Sequence, residues 1–260
     1  AARTVRVEPG VRNLAVSEAA RPHGLYYAPD PSSQIACSIG GNVAENSGGV
    51  HCLKYGLTVH NVLAVKLLTI DGEELVLGGP ALDAQGLDLL AVVNGSEGML
   101  GVITEVLLRL LPLPETAQVL LAAFGTIEEA GAAVGAIIGG GIVPAGLEMM
   151  DKLSVEAVEA FIAPGYPRDA AAVLLCELDG GAAAVAAQMG RGTESVRAQG
   201  ATSVTVSQSE DERLRLWAGR KNAFPAVGLP RDLSPPHRRS LNAWPRAGRS
   251  PMPQATLSAC

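Results

Sequence analysis

Two glycine-rich segments hold most of the residues whose types and spacing could do chemistry. The first covers residues 29–49 and includes Pro-Asp-Pro-Ser-Ser and, from Ser38, Ser-Ile-Gly-Gly-Asn-Val-Ala-Glu-Asn-Ser-Gly-Gly. The second covers residues 94–104 and has glycine at 95, 98 and 101. Glycine lets a backbone approach a ligand and turn its N–H groups toward an anion, while Ser and Asn add neutral donors. The pattern predicts a diphosphate-containing ligand such as a dinucleotide; tight turns between buried elements would use the same residues.

The sequence also argues against several other kinds of site. There is no G-x-G-x-x-G between a strand and a helix and no G-x-x-x-x-G-K-[ST], so neither a Rossmann nor a P-loop site is predicted. Ser96 directly follows Gly95, so the Gly-x-Ser-x-Gly elbow of serine hydrolases is not formed. The four cysteines form no C-x-x-C and have no histidine at ligand spacing, and we therefore expect no metal site and no disulfide framework.

Charge and composition narrow the class of partner. The chain has 260 residues and a formal net charge of −6, which argues against nucleic-acid binding because phosphate contacts need a basic face. With 48% hydrophobic residues, it can bury the core of one large domain or two modest ones. Residues 1–8 show no basic and apolar leader, so a cytoplasmic location is expected.

The first 115 residues predict short strands and helices around the two glycine-rich segments. Asp71-Gly72 predicts a two-residue hairpin turn between strands 62–70 and 74–77. Residues 29–56 are interpreted as a functional loop region around a short helix. The other predicted elements are a strand at 4–8, a helix at 14–20 capped by Asn13, a helix at 87–93 and a strand at 102–111.

After Pro114 the hydrophobic pattern changes, and a second domain is predicted. Strand–helix–strand occurs twice, which favours an α+β sandwich of the split βαβ kind. The predicted strands are 119–124, 143–150, 173–178 and 202–206, and the predicted helices are 127–138 and 182–197. The uncharged stretch 130–147 contains six glycines and a proline, so it is predicted to be a helix running into a strand rather than a transmembrane segment.

Three strings together resemble one flavoprotein family. They are the first glycine-rich segment, the following His51-Cys-Leu-Lys-Tyr-Gly56, and Gly95-Ser-Glu-Gly-Met-Leu-Gly-Val-Ile-Thr104. They are similar to the vanillyl-alcohol oxidase and p-cresol methylhydroxylase (PCMH) family, and within it to the FAD-linked subunits of glycolate oxidases and to D-lactate and D-2-hydroxyglutarate dehydrogenases. The resemblance implies an α+β fold with the second part of a PCMH-type FAD-binding domain at 1–115 and a partial ferredoxin-like substrate cap at 116–228. The Pro- and Arg-rich residues 229–260 match nothing in the family and are expected to be an unstructured tail.

The resemblance also implies residue roles. Arg220, in Trp217-Ala-Gly-Arg220, matches a Trp-x-x-Arg motif whose arginine holds the substrate carboxylate. The alternative for Arg220 is a solvated helix residue paired with Glu212 or Asp211. No base is assigned, although Lys54 and Tyr55 lie on the flavin side. The implied FAD contacts are Pro29, Ser32, Ser38, Gly40, Gly41, Asn42, Ser47, Gly48, Gly98, Gly101, Val102 and Ile103.

Two departures from the family bear on completeness. An upstream glycine-rich pyrophosphate loop is absent, and so is a downstream Gly-His-x-Gly-Asp-Gly-Asn-like segment. We therefore expect a truncated chain whose tail comes from a shifted reading frame, and resequencing the junction near residue 228 tests this.

The function implied by the resemblance is oxidation of glycolate or D-lactate to the 2-oxo acid by hydride transfer to flavin N5. The expected partners are iron–sulfur and second FAD-domain subunits of a glycolate oxidase complex, through which the chain could lie at the inner membrane. The alternative is a catalytically silent FAD-binding remnant or interaction subunit.

Overall fold

A computed structural model describes residues 2–80 and 86–228. The chain divides into two compact units, one reaching Pro114 and one beginning at Glu115. Each unit combines helices with an antiparallel sheet, so the predicted α+β class is confirmed. The predicted unstructured tail, 229–260, lies outside the described residues.

The helices and strands of the first unit are β1 Thr4–Val7, α1 Asn13–Ala20, β2 Leu25–Tyr26, α2 Ile39–Glu45, α3 Cys52–Tyr55, β3 Val62–Leu68, β4 Glu74–Gly78, α4 Leu89–Val93, β5 Val102–Arg109 and β6 Leu111–Pro112. The unit is built on a four-stranded sheet with the order β1-β5-β3-β4 and a small second sheet of β2 and β6. Alternate residues of β1 and β5, such as Val5 with Leu108 and Val7 with Val106, are paired and buried. Ile39 and Val43 of α2 complete this core, which therefore fixes the helix of the first glycine-rich segment.

The predicted hairpin is present, but its turn differs from the prediction. Strands β3 and β4 pair from Ala64 with Gly78 to Leu68 with Glu74. The Thr69 amide donates to the Glu73 carbonyl at 2.9 Å, and the Gly72 amide donates to the Thr69 carbonyl at 3.1 Å. Only Gly72, at φ +80°, is left-handed, whereas a two-residue type I′ turn needs two such residues. The two-residue turn was therefore wrong.

The start of α1 also differs from the prediction. Arg12 occupies the N-cap position, and Asn13 is the first helical residue, 1% exposed. The Asn13 Nδ2 donates to the Pro29 carbonyl at 3.1 Å, so burial and this long-range bond replace the expected capping role. Asn13 therefore holds the start of the first glycine-rich segment against α1.

The second unit has the split βαβ arrangement that was predicted. Its helices and strands are β7 Thr116–Phe124, α5 Ile127–Gly139, β8 Gly146–Asp151, α6 Lys152–Phe161, β9 Ala172–Gly180, α7 Ala182–Ala198, β10 Ser203–Val206, α8 Glu210–Lys221 and α9 Ala223–Gly228. The sheet order is β10-β7-β9-β8, with every neighbouring pair antiparallel. Strand β9 lies between β7 and β8, and β7 lies between β9 and β10, which is the interleaved order of a ferredoxin-like sheet.

The core of this unit lies between the sheet and helices α5 and α7. Leu120, Phe124 and Leu174 of the central strands pack with Ala133 and Ile137 of α5. A reciprocal capping box of Thr126 and Glu129 starts α5. The uncharged stretch is a helix ending at Gly139 followed by β8, as predicted, and no described helix is long and apolar enough to cross a membrane.

Candidate functional site

The two glycine-rich segments meet at the C-terminal end of α2. The Gly95 amide donates to the Val43 carbonyl at 2.8 Å, and the Glu97 amide donates to the Ala44 carbonyl at 2.9 Å. Asn46, which ends α2 in the left-handed conformation, lies against Gly95. The segments therefore form one continuous surface of the first unit.

Hydrogen bonds within the chain hold the N-terminal end of α2. Ser38 is the N-cap residue, and the first four amides of the helix all donate within the chain. The bonds run from Ile39 N to Val11 O at 2.8 Å, Gly40 N to Pro9 O at 2.9 Å, Gly41 N to Ser38 Oγ at 3.3 Å, and Asn42 N to Ser38 O at 2.9 Å. These four N–H groups are bonded within the chain, and the predicted FAD contacts at Ser38, Gly40, Gly41 and Asn42 stay a prediction.

The glycines separate into packed and open positions. A Cβ on Gly40 would lie 2.6 Å from Pro9 Cβ, and one on Gly48 would lie 2.8 Å from Leu57 Cδ2. On Gly101, at φ +158°, a Cβ would lie 2.7 Å from the Leu68 carbonyl oxygen. These three glycines are required by close packing. Gly98 has no neighbour within 4 Å of such a Cβ, and at Gly41 only Ser38 Oγ comes near.

Several polar groups on this surface lack a partner. Asn42 is 3% exposed, and its Nδ2 has no hydrogen-bond partner. Among the described residues, none accepts a hydrogen bond from the Gly48 or Gly98 amide. A buried, unpaired side-chain donor and two unbonded glycine amides are groups that a diphosphate or a flavin carbonyl could satisfy. The donor set therefore fits FAD, and its three residues, Asn42, Gly48 and Gly98, are among the predicted contacts.

The remaining predicted contacts have varied positions. Pro29 is buried and Ser32 is exposed. The Ser47 carbonyl accepts from the Thr58 amide at 3.1 Å. In β5, Val102 is 67% exposed, while Ile103 packs on the core.

An acid–histidine pair that the sequence did not predict braces the first segment. Asp30 Oδ2 lies 2.8 Å from His51 Nδ1, and Asp30 Oδ1 accepts from the His51 amide at 3.2 Å. A Cβ on Gly49 would lie 2.5 Å from the Asp30 carbonyl carbon, so the two ends of the segment are in close contact. The partners are 21 residues apart with no periodic relation, and no sequence signal joins them.

Lys54 and Tyr55 lie in α3, which follows the first glycine-rich segment. The Lys54 Nζ lies 5.3 Å from the Tyr55 ring centroid, and the Tyr55 ring meets Tyr26 edge to face. Both residues line an open cavity of about 820 Å³ together with His60 and Arg109. The described residues contain no group of three or more His, Cys, Asp or Glu side chains that could hold a metal ion.

In the second unit, Arg220 of α8 is paired with a residue of strand β8 rather than with one of its own helix. Its Nε donates to Glu148 Oε2 of β8 at 2.9 Å. Glu212 instead pairs with Arg215 at 3.6 Å. The alternative of a helix residue paired with Glu212 or Asp211 was therefore wrong about the partner.

Two neighbours of Arg220 in α8 fix the position of the helix. Trp217 is 3% exposed, and its indole N–H donates to the buried Glu177 carboxylate. At Gly219 an added Cβ would lie 2.5 Å from Tyr166 Cζ, so the Tyr166 ring packs directly on the helix backbone. The Tyr166 hydroxyl donates to the Leu216 carbonyl, and burial raises the pKa of this phenol.

Comparison with known families agrees with both units. Residues 1–78 match the family model described as an FAD binding domain, and residues 113–235 match the C-terminal domain of FAD linked oxidases. The two matched domains follow one another along the chain in the same order as its two compact units. The chain belongs to the FAD-linked oxidases.

Individual relatives point the same way. The chain is 65% identical over 226 residues to the glycolate oxidase subunit GlcD of Escherichia coli K12, covering 87% of this chain and 45% of that protein. It is 32% identical over 231 residues to a D-lactate dehydrogenase of Anaerostipes hadrus, covering 86% of this chain and 48% of that protein. A solved structure of alkyldihydroxyacetonephosphate synthase has the same fold at 18% identity and a TM-score of 0.69, covering 86% of this chain and 42% of that one. The chain spans slightly under half the length of these curated relatives.

Proposed function

We propose that the chain is part of an FAD-dependent enzyme that oxidises a small 2-hydroxy acid, glycolate or D-lactate, to the 2-oxo acid. The observation that carries the proposal is the meeting of the two glycine-rich segments at the end of α2. Glycolate oxidase and D-lactate dehydrogenase are the activities in the names of the relatives, which supports the substrate class.

The first unit would supply one wall of the flavin site. The Gly48 and Gly98 amides and the Asn42 side chain would donate to FAD, because these groups lack partners in the described residues. Ser38 and Gly40 would act indirectly by fixing α2, and the exposed Val102 would provide apolar contact beside Ile103. Bound FAD supplies the hydride acceptor, and the protein has to orient the substrate against it.

The second unit would supply the carboxylate clamp. The planar guanidinium of Arg220 can bind a carboxylate through two parallel hydrogen bonds. The Trp217 and Gly219 contacts hold the α8 backbone in place, so this guanidinium starts from a fixed position. We further propose that iron–sulfur and second FAD-domain subunits take up the electrons and bring the protein to the inner membrane.

Flavin and substrate titrations of the purified 260-residue chain test the proposal. We expect FAD to bind with quenched flavin fluorescence, and glycolate or D-lactate to bleach the flavin anaerobically. Asn42→Ala should weaken FAD binding about fivefold, the value of one hydrogen bond. Gln188→Ala, in α7 of the second unit, is the amide control and should bind FAD like the wild type. A chain that binds FAD but is indifferent to every 2-hydroxy acid would instead indicate a catalytically silent flavin domain, and a chain that binds no FAD would overturn the proposal.

A further inference from the structure

Glu148 lies at a rigid position opposite Arg220. Glu148 is paired with Leu175 of β9, within a continuous antiparallel ladder that runs from Gly146 to Asp151. The Glu148 side chain is 25% exposed and the Arg220 side chain is 35% exposed, so the ion pair is only partly solvated. The backbone that carries the Glu148 carboxylate is held in place by the sheet, whereas Arg220 reaches this carboxylate from near the end of helix α8.

The hydrogen bond to Glu148 uses the Nε–H of the Arg220 guanidinium and does not use the terminal edge formed by Nη1 and Nη2. Glu148 accepts from Nε, and no described residue accepts from Nη1 or Nη2 of Arg220. A guanidinium presents five N–H donors in a planar fork, so fixing Nε also fixes the plane and direction of the terminal pair. The terminal pair is the edge that matches a carboxylate bidentately.

We propose that Glu148 is a positioning residue that holds Arg220 so that its Nη1 and Nη2 face the substrate carboxylate. This inference rests on the proposed function, in which Arg220 binds the 2-hydroxy acid. Without Glu148, the long arginine side chain regains rotamers that have to be frozen again when the acid binds. The required feature of Glu148 is its hydrogen-bond acceptor more than its charge, because a neutral amide oxygen can also accept from Nε.

The inference makes different predictions for two substitutions. Glu148→Ala removes the acceptor, and we expect the dissociation constants for glycolate and D-lactate to rise about tenfold, the effect of freeing one long side chain. Glu148→Gln keeps an acceptor at the same reach, and we expect affinity within about twofold of the wild type. Glu156→Ala, at an exposed glutamate of α6, is the matched control and should leave affinity unchanged.

Two measurements on the 260-residue chain test this separately from the proposed function. The first follows hydrogen exchange of the Arg220 Nε–H by ¹⁵N NMR without ligand; exchange should be slow in the wild type and Glu148→Gln and fast in Glu148→Ala. The second is calorimetric titration with glycolate and with D-lactate. If Glu148→Ala keeps slow exchange or wild-type affinity, the positioning role is wrong and the proposed function stands. If the wild-type chain binds neither acid, or Arg220→Ala binds them equally well, the role of Arg220 is wrong and that of Glu148 falls with it.

Discussion

Gly219→Ala should destabilise the second unit although alanine is the better helix former. Within a helix, alanine is favoured over glycine by about 1 kcal/mol. At Gly219, however, the new Cβ would lie 2.5 Å from Tyr166 Cζ, far inside any normal contact distance. Tyr166 is 3% exposed and its hydroxyl donates to the Leu216 carbonyl, so displacing the ring would break this hydrogen bond.

The net effect follows from three contributions. Overpacking a well-filled site costs about 1–3 kcal/mol. Displacing the Tyr166 hydroxyl from the Leu216 carbonyl costs about another 1 kcal/mol. The higher helix propensity of alanine offsets about 1 kcal/mol of this loss of stability. We therefore expect Gly219→Ala to lower the free energy of unfolding by about 1–3 kcal/mol.

The assay is urea unfolding followed by Trp217 fluorescence in a Trp244→Phe background, since the sequence contains only these two tryptophans. Gly190→Ala is the matched control, because this exposed glycine of α7 has no neighbour within 4 Å of an added Cβ. The same substitution should there raise stability by about 0.5–1 kcal/mol. If Gly219→Ala is as stable as the wild type or more stable, the close approach of Tyr166 to α8 is refuted.

Three further predictions concern the core of the second unit. Glu177→Ala should cost about 1–3 kcal/mol in urea unfolding, because it removes the buried acceptor of the Trp217 indole N–H while Arg213 keeps its hydrogen bonds to Glu210; a loss below about 0.5 kcal/mol would contradict this. Leu120→Ala should cost about 2–5 kcal/mol, since Leu120 is fully buried in the central strand, and retained stability would mean that this strand is not in the core. Burial, reinforced by the neighbouring Glu177 charge, raises the pKa of the Cys176 thiol from 9.0 to about 12. Cys176 should therefore resist alkylation in the folded chain at pH 8, and its contribution to stability, complete below pH 9, should be lost as the pH rises toward about 12; mass-mapped labelling of native Cys176 at the rate of the half-buried Cys52 would contradict this.

Much of the fold was predictable where hydrophobic period and turn residues agree. Strands β7 and β9 and helices α5 and α7 were predicted close to their observed bounds, because each has an apolar pattern bordered by charged or glycine residues. Helix α6 was not predicted, and α8 was considered only in the alternative that makes Arg220 a helix residue. Ser209 and Glu212 form a recognisable capping pair at the start of α8, with Ser209 Oγ accepting from the Glu212 amide at 3.2 Å. The signal was therefore present but concealed, since the first turn of α8 is entirely charged and shows little apolar period.

The candidate site was predictable in composition but not in detail. The sequence does not distinguish Gly40, Gly41 and Gly98. In the structure Pro9 occupies the space beside Gly40, whereas the space beside Gly98 is open. That difference depends on how distant segments approach one another, which no local spacing encodes. The Arg220–Glu148 bond is of the same kind, because its partners lie 72 residues apart on different elements.

One turn of α8, Trp217-Ala-Gly-Arg220, holds both residues that stabilise the second unit and the arginine that we propose binds the substrate. Trp217 and Arg220 are three residues apart and therefore lie on neighbouring positions of one helix face, where they reach Glu177 of β9 and Glu148 of β8. Gly219 provides the clearance for Tyr166 beside them. A shift of this turn must move the guanidinium, so Gly219→Ala should lose anion affinity together with stability. Arg220→Ala should lose affinity alone, because its ion pair is partly solvated and contributes about 1 kcal/mol or less. If Gly219→Ala binds glycolate as tightly as the wild type while being less stable, the turn does not control the orientation of the arginine.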